Sequence, residues 1–316
     1  MDAVREIADA VLYEGHVLWP YRRSSIKNHQ RWTFGGVYPD LYARASSDRS
    51  VVQVECLLEG VDAAVDVGVR FLHVVHRQAA GGEALEPVDE IAGRLTWDET
   101  TERAVELLGV RDDASAAIDV PPGREVELVD GGALVRTWEQ LEGRVDATIE
   151  PLEDGVHRVR VAIRNDSPWS ELDRDSAVRR TFLSAHVVLR ARAGKLVSAV
   201  DPPGSLEAPT AALRNDGLWP VLVGEEGSRD TVLASPIILS DYPQIAPESP
   251  GDFFDGGEID GLLVLNILGL TDEEKREMRA GDPRAREILE RTEAMTPDEI
   301  RRLHGTIREL RPVGAP

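Results

Sequence analysis

The stretch RVDATIEPLEDGVHRVRVAIRND, Arg144 to Asp166, decides the fold. Val145, Ala147 and Ile149 alternate with Arg144, Asp146, Thr148 and Glu150, and Val159, Val161 and Ile163 alternate with Arg158, Arg160 and Arg164. A period of two turns successive side chains to opposite faces of a strand, so each segment has one apolar and one polar face. That is the antiparallel pattern, since strands covered on both faces read as unbroken apolar runs. Asp154-Gly155, in the connection from Pro151 to Gly155, is a tight-hairpin dipeptide.

The same period extends outward on both sides. VVQVECLLEG (51–60) and AAVDVGVRFLHVVHR (63–77) alternate and are rich in valine, so both read as strands. TFLSAHVVLRARA (181–193) reads as another, turning at Gly194 into LVSAV. Strands separated by turns predict a mainly β fold: antiparallel β-sandwich-like layers with a short N-terminal helix and a helical C-terminal segment. The architecture is analogous to immunoglobulin-like modules, although the Cys-Trp-Cys marks of true immunoglobulin domains are missing.

Helical spacing appears at the two ends. Val4, Ile7, Ala8, Val11 and Leu12 predict a helix over Asp2 to Tyr13. Ala104, Leu107 and Leu108 suggest another over Thr100 to Leu108, closed by a turn at Pro121-Pro122-Gly123. After the apolar run GLLVLNILGL (261–270), Thr271 with Glu274 and Thr296 with Glu299 form capping-box pairs, and Asp282-Pro283 starts a helix between them. These changes of pattern divide the chain into three. Residues 1–140 carry the helix, an aromatic and basic strip and a β region; 141–270 carry the sandwich-like region and an acidic loop; 271–316 carry the C-terminal helices.

The 316-residue chain has 57 acidic and 36 basic residues, a formal charge of −21. That excess repels nucleic acid and anionic membranes. Hydrophobic residues make up 42%, enough for a real core. A single cysteine, Cys56, excludes an internal disulfide framework. The N-terminus lacks the basic and apolar regions of a signal peptide, and no stretch approaches the ~20 apolar residues of a membrane span. A soluble cytoplasmic protein with no membrane partner is the expectation.

Against that charge, LWPYRRSSIKNHQRWTFGGVYP (18–39) stands out. It contains no acidic residue and concentrates Trp19, Tyr21, Trp32, Phe34 and Tyr38 around Arg22, Arg23, Lys27 and Arg31. Trp19, Tyr21, Arg22, Arg23, Lys27, His29, Arg31 and Trp32 are candidate binding residues, because aromatic and arginine side chains dominate recognition patches. The same rings and guanidinium groups could instead plug and cover a sheet. Interleaved rings and cations can also bind single-stranded nucleic acid, but four basic residues in so acidic a chain are a weak footprint.

The opposite charge collects in SDYPQIAPESPGDFFDGGEIDG (240–261), where Asp252, Asp255 and Glu258 are further candidates. The spacing fits no calcium loop. A solvated acidic loop is the plain reading; the sharper one pairs these carboxylates with Arg22, Arg23 or Arg31 in one surface or pocket. Other constellations carry less. His73 and His76, three apart on a strand, face opposite ways and are a poor ligand pair. Cys56 reads as a small core residue. GGVYP, GDFFDGGE and VDGGALV lack the frame of a phosphate loop, and RSS and FLSAH lack that of a nucleophile elbow. No metal or cofactor is expected.

The blocks YEGHVLWPYRRSSIKNHQRWTFGGVYP (13–39) and LASPIILSDYPQIAPESPGDFFDGGEIDGLLVLNILGLTDEEKREMRAGDPRAREILERTE (233–293) resemble an actinobacterial-type family. Its members are similar to hypothetical proteins encoded beside high-affinity NiFe-hydrogenases. The resemblance implies context, not catalytic residues: a non-catalytic accessory protein that binds a protein partner, such as a hydrogenase subunit or its precursor, during assembly or maturation. The alternative is an enzyme acting on a small polar ligand, with Asp252, Asp255 and Glu258 facing Arg22 and His29. A structural subunit of a larger assembly is a third possibility. Neither partner identity nor oligomeric state is written in the residues.

Overall fold

A computed structural model of the chain describes residues 3–13, 34–170, 173–244 and 260–303. Its elements in order are α1 (Ala3–Tyr13), α2 (Asp40–Ala45), β1 (Val51–Gly81), β2 (Glu86–Val88), β3 (Glu90–Ile91), β4 (Arg94–Leu95), β5 (Trp97–Val110), β6 (Ala114–Val120), β7 (Gly123–Val129), β8 (Gly132–Trp138), β9 (Leu141–Pro151), β10 (Val156–Asn165), α3 (Arg174–Val178), β11 (Leu183–Leu196), α4 (Glu207–Ala211), β12 (Trp219–Leu222), β13 (Thr231–Ser235), α5 (Asp260–Leu268), α6 (Asp272–Ala280), α7 (Pro283–Ala294) and α8 (Pro297–Leu303). The protein is mainly β, built on one large antiparallel sheet, with a short N-terminal helix and C-terminal helices. Among the described residues, no helix is long and apolar enough to cross a membrane.

The deciding hairpin forms as its period dictates. β9 and β10 pair with Val145 opposite Ile163 and Ile149 opposite Val159. The turn puts Asp154 at φ 56° and Gly155 at φ 71°, the left-handed pair that matches strand twist. Every inward aliphatic of the hairpin is buried. Burying each of its valines and isoleucines stabilises by roughly 1.5–3 kcal/mol.

β1 organises everything else. The segments 51–60 and 63–77, which read as two strands, are one strand of 31 residues. Its first part pairs with β10, its middle with β11 and β5, and its end with β8 and β2. Val52, Val54, Cys56 and Leu58 face the core first; after the register shift between Glu59 and Ala64 the odd residues Val65, Val67, Val69 and Phe71 take over. An irregular insertion in one strand reverses its faces in this way. The shift is seated where two backbones touch: a Cβ on Gly60 would lie 2.7 Å from the Cα of Gly194. Gly194 is therefore not the turn expected from the sequence. β11 runs through it to Leu196, and the glycine admits the close approach.

The sheet order β12-β13-β11-β1-β10-β9-β6 makes two arms joined at β1. Inward residues of both arms, among them Val161, Val145, Val187 and Val232, share one core, so the arms form sandwich-like layers around it. Strands from either side of residue 140 belong to this one sheet. α1 covers its outer face, with Val4, Ile7, Ala8 and Val11 against Val221, Val223 and Leu233. Leu12 and Tyr13 pack on Leu72, Val74 and Leu183.

The helix expected over Thr100 to Leu108 is instead the middle of β5. Its inward residues are Arg103, Val105 and Leu107, opposite Phe71, Val69 and Val67. A polar arginine facing inward and a leucine, Leu108, left 65% exposed on the other face hide the period of two. The C-terminal helices begin where their caps indicate. Thr271 and Glu274 form a complete capping box, and the Asp282 side chain accepts from the Arg284 amide at 2.8 Å. Leu263, Val264, Ile267, Met278, Ile288 and Leu289 give these helices a small core of their own.

Candidate binding surface

β7 and β8 form a two-strand ribbon closed by Asp130-Gly131. β8 is an interior strand: it pairs with β7 on one edge and with the end of β1 on the other, Val135 opposite Gln78 and Ala133 opposite Ala80. Ala133, Leu134 and Val135 are accordingly buried. Among the described residues β7 pairs with β8 alone, and its five central residues, Arg124 to Leu128, are all exposed. Val126 is 43% and Leu128 80% accessible, apolar side chains on a strand whose outer edge has no partner strand among the described residues. Such an edge is a template for another chain.

The two faces of β7 differ. Cross-strand neighbours share a face, so Glu125 and Glu127 lie with Arg136 and Leu134, while Val126 and Leu128 lie with Val135 and Ala133. The acidic face is tied into the body by a chain of charges. Arg136 donates to Glu127 at 2.7 Å and to Glu99 at 2.9 Å. Arg77, opposite Trp97 on β5, bonds the other oxygen of Glu99. Arg77 also donates to the carbonyl oxygens of Leu95 at 3.0 Å, Ala280 at 3.0 Å and Gly281 at 2.9 Å. It thus joins the ribbon's base to the C-terminal end of α6, where the helix dipole favours a cation. The Arg136 hydrogen bond holds the Glu127 carboxyl below its ordinary range. Partial burial pulls Arg136 down, but its bonds to Glu127 and Glu99 outweigh this and hold it above its usual value. Arg77 is fully buried, and burial lowers its pKa against the pull of Glu99.

A second feature is a cleft of about 520 Å³ between α1 and the sheet, lined by Val4, Ala8, Gly68, Arg70, Glu102 and Arg190 among others. Arg70 spans it, bonded to Asp9 from α1 and to Glu102 at 2.7 Å. The Arg70 hydrogen bond lowers the Glu102 pKa. Arg70 and the two carboxylates leave one negative charge, which Arg5, 3.9 Å from Asp9, offsets; the pairs fasten α1 to β5. Below lies His186, fully buried, its Nδ1 3.2 Å from the Ser184 carbonyl. Burial pushes its pKa down to about 4.

His73 and His76 face opposite sides, as their spacing requires. His73 is sealed 3.5 Å from the Arg103 guanidinium, while His76 is part-exposed with Nδ1 2.6 Å from Asp98. Cys56 is buried and its thiol is pushed up to about 12, chiefly by burial. Among the described residues, no cluster of three or more His, Cys, Asp or Glu is placed to hold a metal.

The candidates taken from the sequence, Trp19, Tyr21, Arg22, Arg23, Lys27, His29, Arg31, Trp32, Asp252, Asp255 and Glu258, lie outside the described residues, and so does the pairing proposed between them. The edges of those two stretches are described. Phe34 is 47% exposed, whereas Tyr38 is buried, stacked on Tyr42 with Arg174 beside its ring. Asp241 is a structural group, accepting from the Leu222 amide at 2.8 Å and from the Ser198 hydroxyl. The ribbon was not among the candidates, although a signal for it exists. In GREVELVDGGALV, Glu and aliphatic residues alternate up to Asp130-Gly131, the pattern of a hairpin with two unlike faces. No family model and no curated protein matches this sequence.

Proposed function

We propose that this chain is a non-catalytic accessory protein that holds a protein partner along the outer edge of β7. The observation carrying the proposal is a strand with an edge unpaired among the described residues and exposed Val126 and Leu128, fixed to the body through Arg136, Glu99 and Arg77. A rigid, pre-formed edge binds an extended segment with main-chain hydrogen bonds and loses little conformational entropy on doing so. The resemblance to proteins encoded beside NiFe-hydrogenases supplies the partner: a hydrogenase subunit or its precursor, met in the cytoplasm during assembly.

The test is a titration of purified hydrogenase large-subunit precursor, immobilised, with the wild-type chain and with Val126→Asp and Leu128→Asp. Both side chains are exposed, so the variants should keep the wild-type unfolding midpoint. The expected result is saturable binding by the wild type and at least tenfold weaker binding by each variant. Absence of binding by the wild type, or equal binding by the variants, overturns the proposal.

A further inference from the structure

Resting on that reading, we infer that the segment added to β7 is an extended strand alternating basic and apolar side chains. An added strand continues the sheet, so its alternate residues face the two sides that β7 already presents. On one side they meet Glu125 and Glu127; on the other they meet Val126 and Leu128, which continue Ala133 and Val135 of β8. Glu127 is shared with Arg136, while Glu125 makes no ion pair among the described residues. Cations on the incoming strand therefore find a carboxylate directly opposite, an arrangement that stabilises a strand pair, and aliphatic side chains find Val126 and Leu128.

The same geometry argues against a second copy of this chain. Two β7 strands pairing antiparallel about Val126 would set Glu125 of each against Glu127 of the other, twice over. Like charges directly opposite destabilise a ladder. The chain's formal charge of −21 adds repulsion between copies and attraction for a basic partner.

The experiment measures fluorescence anisotropy of labelled seven-residue peptides mixed with the full chain at low and high salt. The probes are Lys-Val-Lys-Leu-Lys-Val-Lys, its Glu-for-Lys counterpart, and the lysine peptide N-methylated at alternate backbone nitrogens in either register. The lysine peptide should bind at least tenfold more tightly than the glutamate one and weaken as salt rises. N-methylation in the register whose amides face β7, which leaves every charge in place, should abolish binding, and methylation in the other register should leave it. Glu125→Lys should reverse the preference without altering the unfolding midpoint. Equal binding of lysine and glutamate peptides overturns the charge assignment while leaving the edge reading intact. Equal binding of both N-methylated peptides overturns docking on the edge itself, and with it the proposed function. A dimer in sedimentation velocity that Glu125→Lys strengthens, by relieving the repulsion, overturns the basic segment in favour of a second copy.

Discussion

Replacing Arg77 with methionine tests whether the charge chain under the ribbon holds the molecule together. The side chain is fully buried and bonds Glu99 and the carbonyl oxygens of Leu95, Ala280 and Gly281. Methionine fills much of the volume but satisfies none of these acceptors. Removing one partner of a buried ion pair costs about 3–5 kcal/mol. Glu99 keeps Arg136 at 2.9 Å, which places the expected loss near the lower end, roughly 3 kcal/mol. For a chain of this size that is a fall in the unfolding midpoint of about 4–5 °C, measurable by calorimetry. Amide exchange should rise first in α6 and α7, whose junction loses its anchor. Arg77→Lys should recover only part of the loss, because one ammonium cannot reach acceptors spread around the edge of the guanidinium group. Removing Glu99 as well should relieve part of the penalty, since the remaining carboxylate is no longer left with a lost partner. A methionine variant within about 1 kcal/mol of wild type, or unchanged exchange in α6 and α7, would refute the reasoning.

Two further outcomes are expected. His73 and His186 are sealed, and burial pushes both down to about 4 from an ordinary 6.5. Between those values the unfolded chain binds more protons than the folded one, so their contribution is complete above pH 6.5 and is lost as the pH falls toward 4. Each contributes up to about 3 kcal/mol, so stability measured in urea should decline across that window, and a His73→Gln/His186→Gln variant should flatten it. An unaltered slope in the variant would contradict the burial account. Cys56, buried with its thiol at about 12, should resist a thiol reagent in the folded chain and react on unfolding in urea. Rapid labelling under native conditions would count against its place in the core.

The alternation in 144–166 was legible because burial on one face imposes a local rule, and β9 and β10 obey it residue for residue. The helix caps at Thr271 and Asp282 were legible for the same reason, since a cap involves groups only two or three residues apart. β5 does not read as a strand because its core face carries Arg103, whose half-buried place beside His73 is a tertiary circumstance that no window of sequence contains. The ribbon escaped notice for a related reason: its turn is local, but the freedom of its outer edge depends on which strands the rest of the chain sends elsewhere.

The sequence by itself determined the mainly β character, the positions of the outer helices and the burial of Cys56, all consequences of which side chains avoid water over a few residues. Tertiary structure decided that 51–81 is one strand with two core faces, that Arg77 meets carbonyl oxygens more than 200 positions away, and that β7 has an edge unpaired among the described residues. Hydrophobic period is written locally, whereas hydrogen-bond partners for a buried cation or an open strand edge are fixed only when distant segments arrive beside them.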